Sequence, residues 1–144
     1  MASSFKTAST LALLFASSVA GAAGEHWSAP PAAAKRQNPV ASSEASIEEG
    51  KRLFKQNCAV CHGPAGHGDG PAAGSLKPHP ADLAMMAGHH PDGDLAWKIA
   101  NGRGAMPSWK ASLSDQQIWN LVNYLKSLGA AQGQPQGTGQ HHHH

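Results

Sequence analysis

Residues 46–63 read SIEEGKRLFKQNCAVCHG and join an amphipathic helix to a C-x-x-C-H motif at Cys58, Cys61 and His62. Ser46 and Glu49 stand at the spacing of a capping box, and Ile47, Gly50, Leu53 and Phe54 follow at helical period. Two thiols three positions apart can reach the two vinyl groups on one edge of a haem. The adjacent imidazole is then carried beneath the iron as an axial ligand. C-x-x-C-H is for that reason the attachment pattern of c-type haem. The rival readings of such a pair lack their context. A thioredoxin-like redox pair belongs to a βαβ pattern, which is absent, and a zinc site needs two further ligands at compatible spacing. His67, His79, His89 and His90 stand in no paired motif. With only two cysteines in the chain, no disulfide framework can be built.

An iron with one imidazole needs a sixth ligand or an open position. Met106 in NGRGAMPSW, residues 101–109, is the leading ligand. Its thioether is soft, Met/His ligation raises the reduction potential, and the flanking glycines and Pro107 suit a loop closing over one haem face. Met85 and Met86 are rivals, as are His89 and His90.

Outward from the motif, Ser114 and Gln117 form a second capping box. Ile118, Leu121, Val122, Leu125 and Leu128 continue as an apolar stripe, and Gly129 suits a stop. A third helix is expected from about Leu95 to Asn101, with Asp92 or Asp94 near its start and Gly102 at its end. No strand pattern stands out. Residues 63–92 are rich in Gly and Pro, and a loop this long in a small domain needs something to wrap around. The folded span is expected at 46–129, too short to make a large core unaided, so a covalent haem would supply part of it.

The flanks read differently. Lys6 followed by the apolar run LALLFASSVA and an A-x-A site at Ala20-Gly21-Ala22 predicts a signal peptide over 1–23 and export to a periplasm. This mostly apolar run is about half of the ~20 residues that a membrane span needs. Residues 24–45 are rich in Ala, Pro and Ser and are expected to be a mobile linker, with Trp27 exposed. Residues 130–144 are expected to be a disordered tail whose terminal His run resembles an affinity tag. The net charge of +2 is too small to argue for nucleic acid or a strongly anionic surface.

Over residues 46–129 the chain resembles class I c-type cytochromes of the bacterial monohaem kind. The resemblance rests on the helix entering CAVCHG and on the loop GHGDGPAAGSLKPHPADL at 66–83. It rests further on NGRGAMPSW and on a terminal helix of LVNYLKSL type at 121–128. It implies an all-α fold of three or more helices around one covalent haem c. Gly50 and Phe54 would cross Leu121 and Tyr124, and Gly50 would otherwise cost its helix about 1 kcal/mol. The family pattern implies a proline carbonyl that accepts a hydrogen bond from the axial His; Pro71 is the chosen position and Pro78 the alternative. Trp97 and Trp109 would pack beside the haem, and Arg103 or Trp109 would bond a propionate.

The function expected is periplasmic electron transfer without substrate chemistry, with larger redox proteins docking transiently as donor and acceptor. The alternatives are a haem-bearing subunit of a periplasmic oxidoreductase, or a gas-binding or peroxidatic haem protein should the Met ligand be labile. Lys51, Arg52 and Lys55, on one helix just before the haem motif, are expected to steer an acidic partner.

Overall fold

The structure, a computed structural model, describes residues 26–132. The expected signal segment 1–23 and the part of the expected tail beyond 132 lie outside the described residues. The fold is all-α: α1 (Pro31–Ala34), α2 (Glu44–Asn57), α3 (Ala59–His62), α4 (Leu83–Met86), α5 (Asp92–Asn101) and α6 (Asp115–Gln132). Single 3-10 turns lie at Ala73–Ser75 and Ala87–His89, so the Gly/Pro-rich loop has more local structure than its composition implies. Among the described residues the only β pairing is an isolated bridge between Arg103 and Met106.

α2 starts one cap earlier than the Ser46–Glu49 box predicts. Ser43 is its N-cap, with its hydroxyl accepting the Ser46 N–H at 3.2 Å. Ser46 is instead buried and donates its own hydroxyl to Asn120 Oδ1 at 2.6 Å. Serines recur at 43 and 46, and the need for a buried donor facing α6 decides which one caps. The box opening α6 forms as expected. Gln117 N–H donates to Ser114 Oγ at 3.2 Å, and Ser114 N–H donates to Gln117 Oε1 at 2.9 Å. α6 does not stop at Gly129. A Cβ at that position would lie 2.8 Å from the Gly88 nitrogen, so this glycine serves the close approach of the 87–89 turn.

α2 and α6 cross at Gly50. A Cβ there would collide with the Asn120 carbonyl and lie 2.8 Å from Tyr124 Cβ, so only glycine lets the two backbones meet. Phe54 and Tyr124 pack beside the crossing with ring centroids 5.3 Å apart and planes at 56°. Such a tilted pair contributes about 0.5–1.5 kcal/mol beyond its burial. Leu53, Phe54, Leu95, Ile99, Ile118, Leu121, Val122 and Leu125 form the buried core that α2, α5 and α6 share.

The largest departure from the sequence reading is the supposed linker. Residues 26–41 lie packed on α5 and α6. Asn38 donates to the Trp119 carbonyl at 3.2 Å and to Asn123 Oδ1 at 2.8 Å. Asn123 in turn donates to Ser46 Oγ at 2.8 Å and to the Val40 and Ala41 carbonyls at 3.2 Å each. Trp27 is half-buried, with the Lys98 ammonium 5.6 Å from its ring centroid. Composition misreads this arm because much of its attachment is polar: Asn38 and Asn123 hold it by hydrogen bonds, and small apolar contacts by Ala29 and Val40 add to them.

The crossing can be tested by substitution. Gly50→Ala gains about 1 kcal/mol of helix propensity but forces two backbones apart, an overpacking that typically costs about 1–3 kcal/mol. Gly50→Val adds two methyls at the same point. In urea denaturation of the haem-loaded protein, stability should fall in the order Gly, Ala, Val. A valine variant as stable as wild type would show that the crossing opens at no cost.

Candidate haem attachment site

α2 delivers the attachment residues. Its last amide bond, from Cys58 N–H to the Phe54 carbonyl at 2.8 Å, makes Cys58 both the end of α2 and the cap of α3. Cys61 and His62 donate their amides to the Cys58 carbonyl at 3.1 and 2.9 Å, so one helical turn carries both thiols and the imidazole. Residues three apart on a helix share a face, which sets the two sulfurs side by side. The loop that follows folds back onto this turn. Gly68, Gly70 and Ala72 donate their amides to the carbonyls of His62, Cys61 and Val60 at 2.8, 3.1 and 2.9 Å. A Cβ on Gly70 would sit 2.5 Å from the Val60 oxygen and 2.6 Å from that of Ala59, so the wrap depends on glycine.

His62 is fixed by a bond the sequence reading placed elsewhere. Its Nδ1 lies 3.1 Å from the Ala81 carbonyl, which replaces Pro71 and Pro78 as the partner. A carbonyl only accepts, so Nδ1 carries the proton and Nε2 keeps its lone pair for a metal. Burial holds the ring's pKa below the ordinary histidine value despite the opposing pull of that bond, which favours the neutral, ligating form. Pro71 is exposed and opens the turn ahead of Ala73–Ser75. The proline cue misleads because this loop is long. Chain beyond Pro78 returns to the ring by pairing the Leu83 amide with the Gly66 carbonyl at 2.6 Å.

Asp82, which the sequence reading gave no role at the site, holds that return. Its Oδ1 accepts the Met85 N–H at 2.8 Å as the cap of α4, and His67 Nδ1 lies 3.2 Å from its Oδ2. The Met85 amide first, then His67, hold its carboxyl below the ordinary aspartate value. An Asp before Leu-Ala-Met-Met is a legible N-cap; the Ala81 carbonyl carried no signal.

The second group of predicted residues is held by α5. Gly102, in the left-handed region at φ 65°, ends that helix. Arg103 and Met106 exchange backbone hydrogen bonds at 2.9 and 3.0 Å, and Trp109 N–H donates to the Ile99 carbonyl at 3.2 Å. Met106 and Trp109 are half-buried against the same core cluster that Cys58 and Ala59 touch. Trp97 is half-buried and lines a cavity of about 140 Å³ with Ala33, Arg36 and Trp119, a different place from the thiols. Arg103 is exposed.

The residues at the motif fit a covalently attached haem. Both cysteines are free of any disulfide. Burial, with the neighbouring Cys61 adding to it, pushes the Cys58 thiol up to about 12, so it stays protonated rather than offering a metal thiolate. Two thiols and one imidazole with a free nitrogen leave a zinc site short of a fourth ligand and make a complete attachment set for haem. Among the described residues no group of three or more His, Cys, Asp or Glu side chains gathers to hold a metal ion.

Residues 45–125 match the family model described as cytochrome c oxidase, cbb3-type, subunit III. The cbb3-type cytochrome c oxidase subunit CcoP of Azospirillum brasilense is 31% identical over 93 residues, covering 64% of this chain and 32% of that protein. The cytochrome c6 of Bumilleriopsis filiformis is 32% identical over 83 residues, covering 58% of this chain and 92% of that protein. The chain thus spans about a third of the first relative and nearly all of the second. A chain of the reducing HAO-like protein complex of Kuenenia stuttgartiensis superposes with a TM-score of 0.57 at 31% identity, over 62% of this chain and 46% of that one.

Asp82 provides a test of the loop. Its folded pKa is depressed, so its contribution is complete above the unfolded value of about 3.9 and is lost as pH falls through the lower folded value. Asp82→Ala should destabilise the haem-loaded protein at pH 7 by removing the cap of α4. It should also raise the midpoint potential, because a loosened Ala81 carbonyl leaves His62 a weaker electron donor. The stability gap should narrow as pH falls below the unfolded value of about 3.9. Equal stability at pH 7 together with an unmoved potential would remove Asp82 from the support of His62.

Proposed function

The chain belongs to the cbb3-type cytochrome c oxidase subunit III family of c-type cytochromes, and from that premise we propose a periplasmic single-electron carrier with His62 and Met106 as its axial pair. Covalent haem c at Cys58 and Cys61 and electron transfer are properties of the family fold. When bound, the haem supplies a one-electron ferric–ferrous couple. The chain's own work is to present one imidazole nitrogen, cover the macrocycle and set the potential.

The observation carrying the ligand reading is the His62–Ala81 bond, which leaves Nε2 as the ring's free donor. For the other face, Met106 is held by its backbone pairing with Arg103 on a loop anchored to α5. Met85, by contrast, is 69% exposed, which speaks against it as the sixth ligand. Supporting a carrier is the near-complete coverage of a cytochrome c6, a protein about the size of the matched region. The alternative, a haem-bearing domain of a larger oxidase subunit, is favoured by the match to CcoP, most of whose length lies outside the matched region. Export is supported by the leader-like segment of residues 1–23. Among the described residues no helix is long and apolar enough to cross a membrane.

Docking is proposed at the thioether edge. Val60, between the two cysteines, is 53% exposed and offers an apolar contact point at that edge. The basic cluster on α2 is a weaker steering device than its sequence implies. Arg52 is paired with Glu49 at 2.7 Å, and Lys51 lies 3.8 Å from Glu48. Such exposed pairs leave little net field.

Met106→Ala should lower the midpoint potential and let carbon monoxide bind the ferrous protein, read by redox titration and visible spectroscopy. A variant that stays six-coordinate and indifferent to the gas would move the sixth ligand to another residue. Val60→Glu should slow bimolecular electron transfer by about tenfold, the size of a modest interface hot spot, with the potential unchanged. A stopped-flow rate equal to wild type would place docking elsewhere.

A further inference from the structure

Polar groups that haem attachment does not use gather where the N-terminal arm crosses the start of α5. Asp94 and Lys98 are 4% and 6% exposed. Asp94 Oδ1 accepts the Ala29 N–H at 2.7 Å, and its Oδ2 takes the Lys98 ammonium at 2.7 Å and His90 Nδ1 at 2.8 Å. Lys98 also faces the Trp27 ring. Gly93 permits the close fit: a Cβ there would meet the carbonyls of Ala33, Ala34 and Arg36 at the end of α1. A buried ion pair adds little stability compared with an apolar pair of similar volume, but it is well suited to fix one register of one segment on another. At its far end the arm is fixed to α6 by Asn38.

The other end of α5 carries the Met106 loop. Gly102 N–H donates to the Lys98 carbonyl at 2.9 Å, Trp109 N–H to Ile99 at 3.2 Å, and the Ser108 hydroxyl to Ala100 at 2.7 Å. Lys98 therefore joins the two ends: its side chain sits in the Asp94 cluster and its carbonyl receives the first amide of the loop.

We propose that residues 26–40 are a brace on α5, and that Asp94 is a positioning residue which, through Lys98, holds the 102–110 loop where Met106 stays on the haem iron. The inference rests on the His62/Met106 reading. With the brace released, α5 can shift, the loop relaxes, and a larger fraction of the protein offers an iron position that an outside ligand can take. The apparent affinity for that ligand rises in proportion to that fraction.

The test uses full-length, haem-loaded protein with two substitutions, Asp94→Asn and Asn38→Ala. The hydrogen bonds of Asn38 go to α6 and to Val40, so Asn38→Ala loosens the arm without removing a bond to α5 or to the 102–110 loop. Two readouts are followed: the far-red charge-transfer band of a thioether on ferric iron, and titration with imidazole. Both variants should weaken the band and bind imidazole about tenfold more tightly or better. Amide exchange at Gly102 and Trp109 should quicken. Wild-type band and affinity in both variants would overturn the brace. A response in Asp94→Asn alone would also overturn it, since Asp94 would then act inside α5 without the arm. A wild-type protein lacking the band would sink the ligand reading instead. Should Asp94→Asn fail to fold, Asn38→Ala decides.

Discussion

The contact of Gly50 with the Asn120 carbonyl is the constraint on which the remaining geometry hangs. With any side chain at 50, α2 and α6 would separate by the thickness of that group. Phe54 would lose Tyr124, and the bonds of Ser46 to Asn120 and Asn123 would open. Because α2 runs into Cys58 without a joint, a displaced α2 would carry the two thiols and His62 with it. The site is thus positioned by a crossing about two helical turns away from it.

Polar residues do unusual work in this core. Ser46, Asp94, Lys98, Asn120 and Asn123 are buried, and among the described residues no buried side-chain nitrogen or oxygen lacks a partner. An unsatisfied buried polar group costs about 1–3 kcal/mol, so such a network is stable only when complete. Completeness here requires the arm, since Asn123 bonds to the Val40 and Ala41 carbonyls and Asp94 accepts from Ala29. A small helical domain gains from this a segment of definite register that apolar burial alone would not specify.

The legibility of the sequence followed the range of each interaction. C-x-x-C-H, the Ser114–Gln117 box, Gly102 and the apolar stripe of α6 are local patterns, and each appears in the fold where the pattern puts it. Gly50 was legible because a glycine inside a strong helix period demands a compensating contact. What was missed is long-range. Ser43 displaced Ser46 as a cap because of Asn120, seventy-four positions beyond Ser46. The arm resembled a linker because its partners are Asn and Asp side chains on distant helices. The acceptor of His62 is a backbone carbonyl, and no residue type announces that. Asn120 and Asn123, interrupting an apolar stripe, were the one visible sign that α6 had a polar partner.

The two proposed axial ligands are held by unequal means. His62 sits one residue from a thioether-forming cysteine, inside a helical turn whose carbonyls are bonded by Gly68, Gly70 and Ala72, with its ring tied to Ala81. Displacing it means unfolding that turn. Met106 lies on the excursion from Gly102 to Lys110, closed by backbone bonds at its base and by its pairing with Arg103. Its thioether is a neutral, weak ligand whose occupancy depends on how well the loop is preorganised. The methionine side is therefore where a modest change in packing alters coordination. It is also the side whose supporting helix carries a buried charged latch, while the histidine side depends on covalent geometry and glycine.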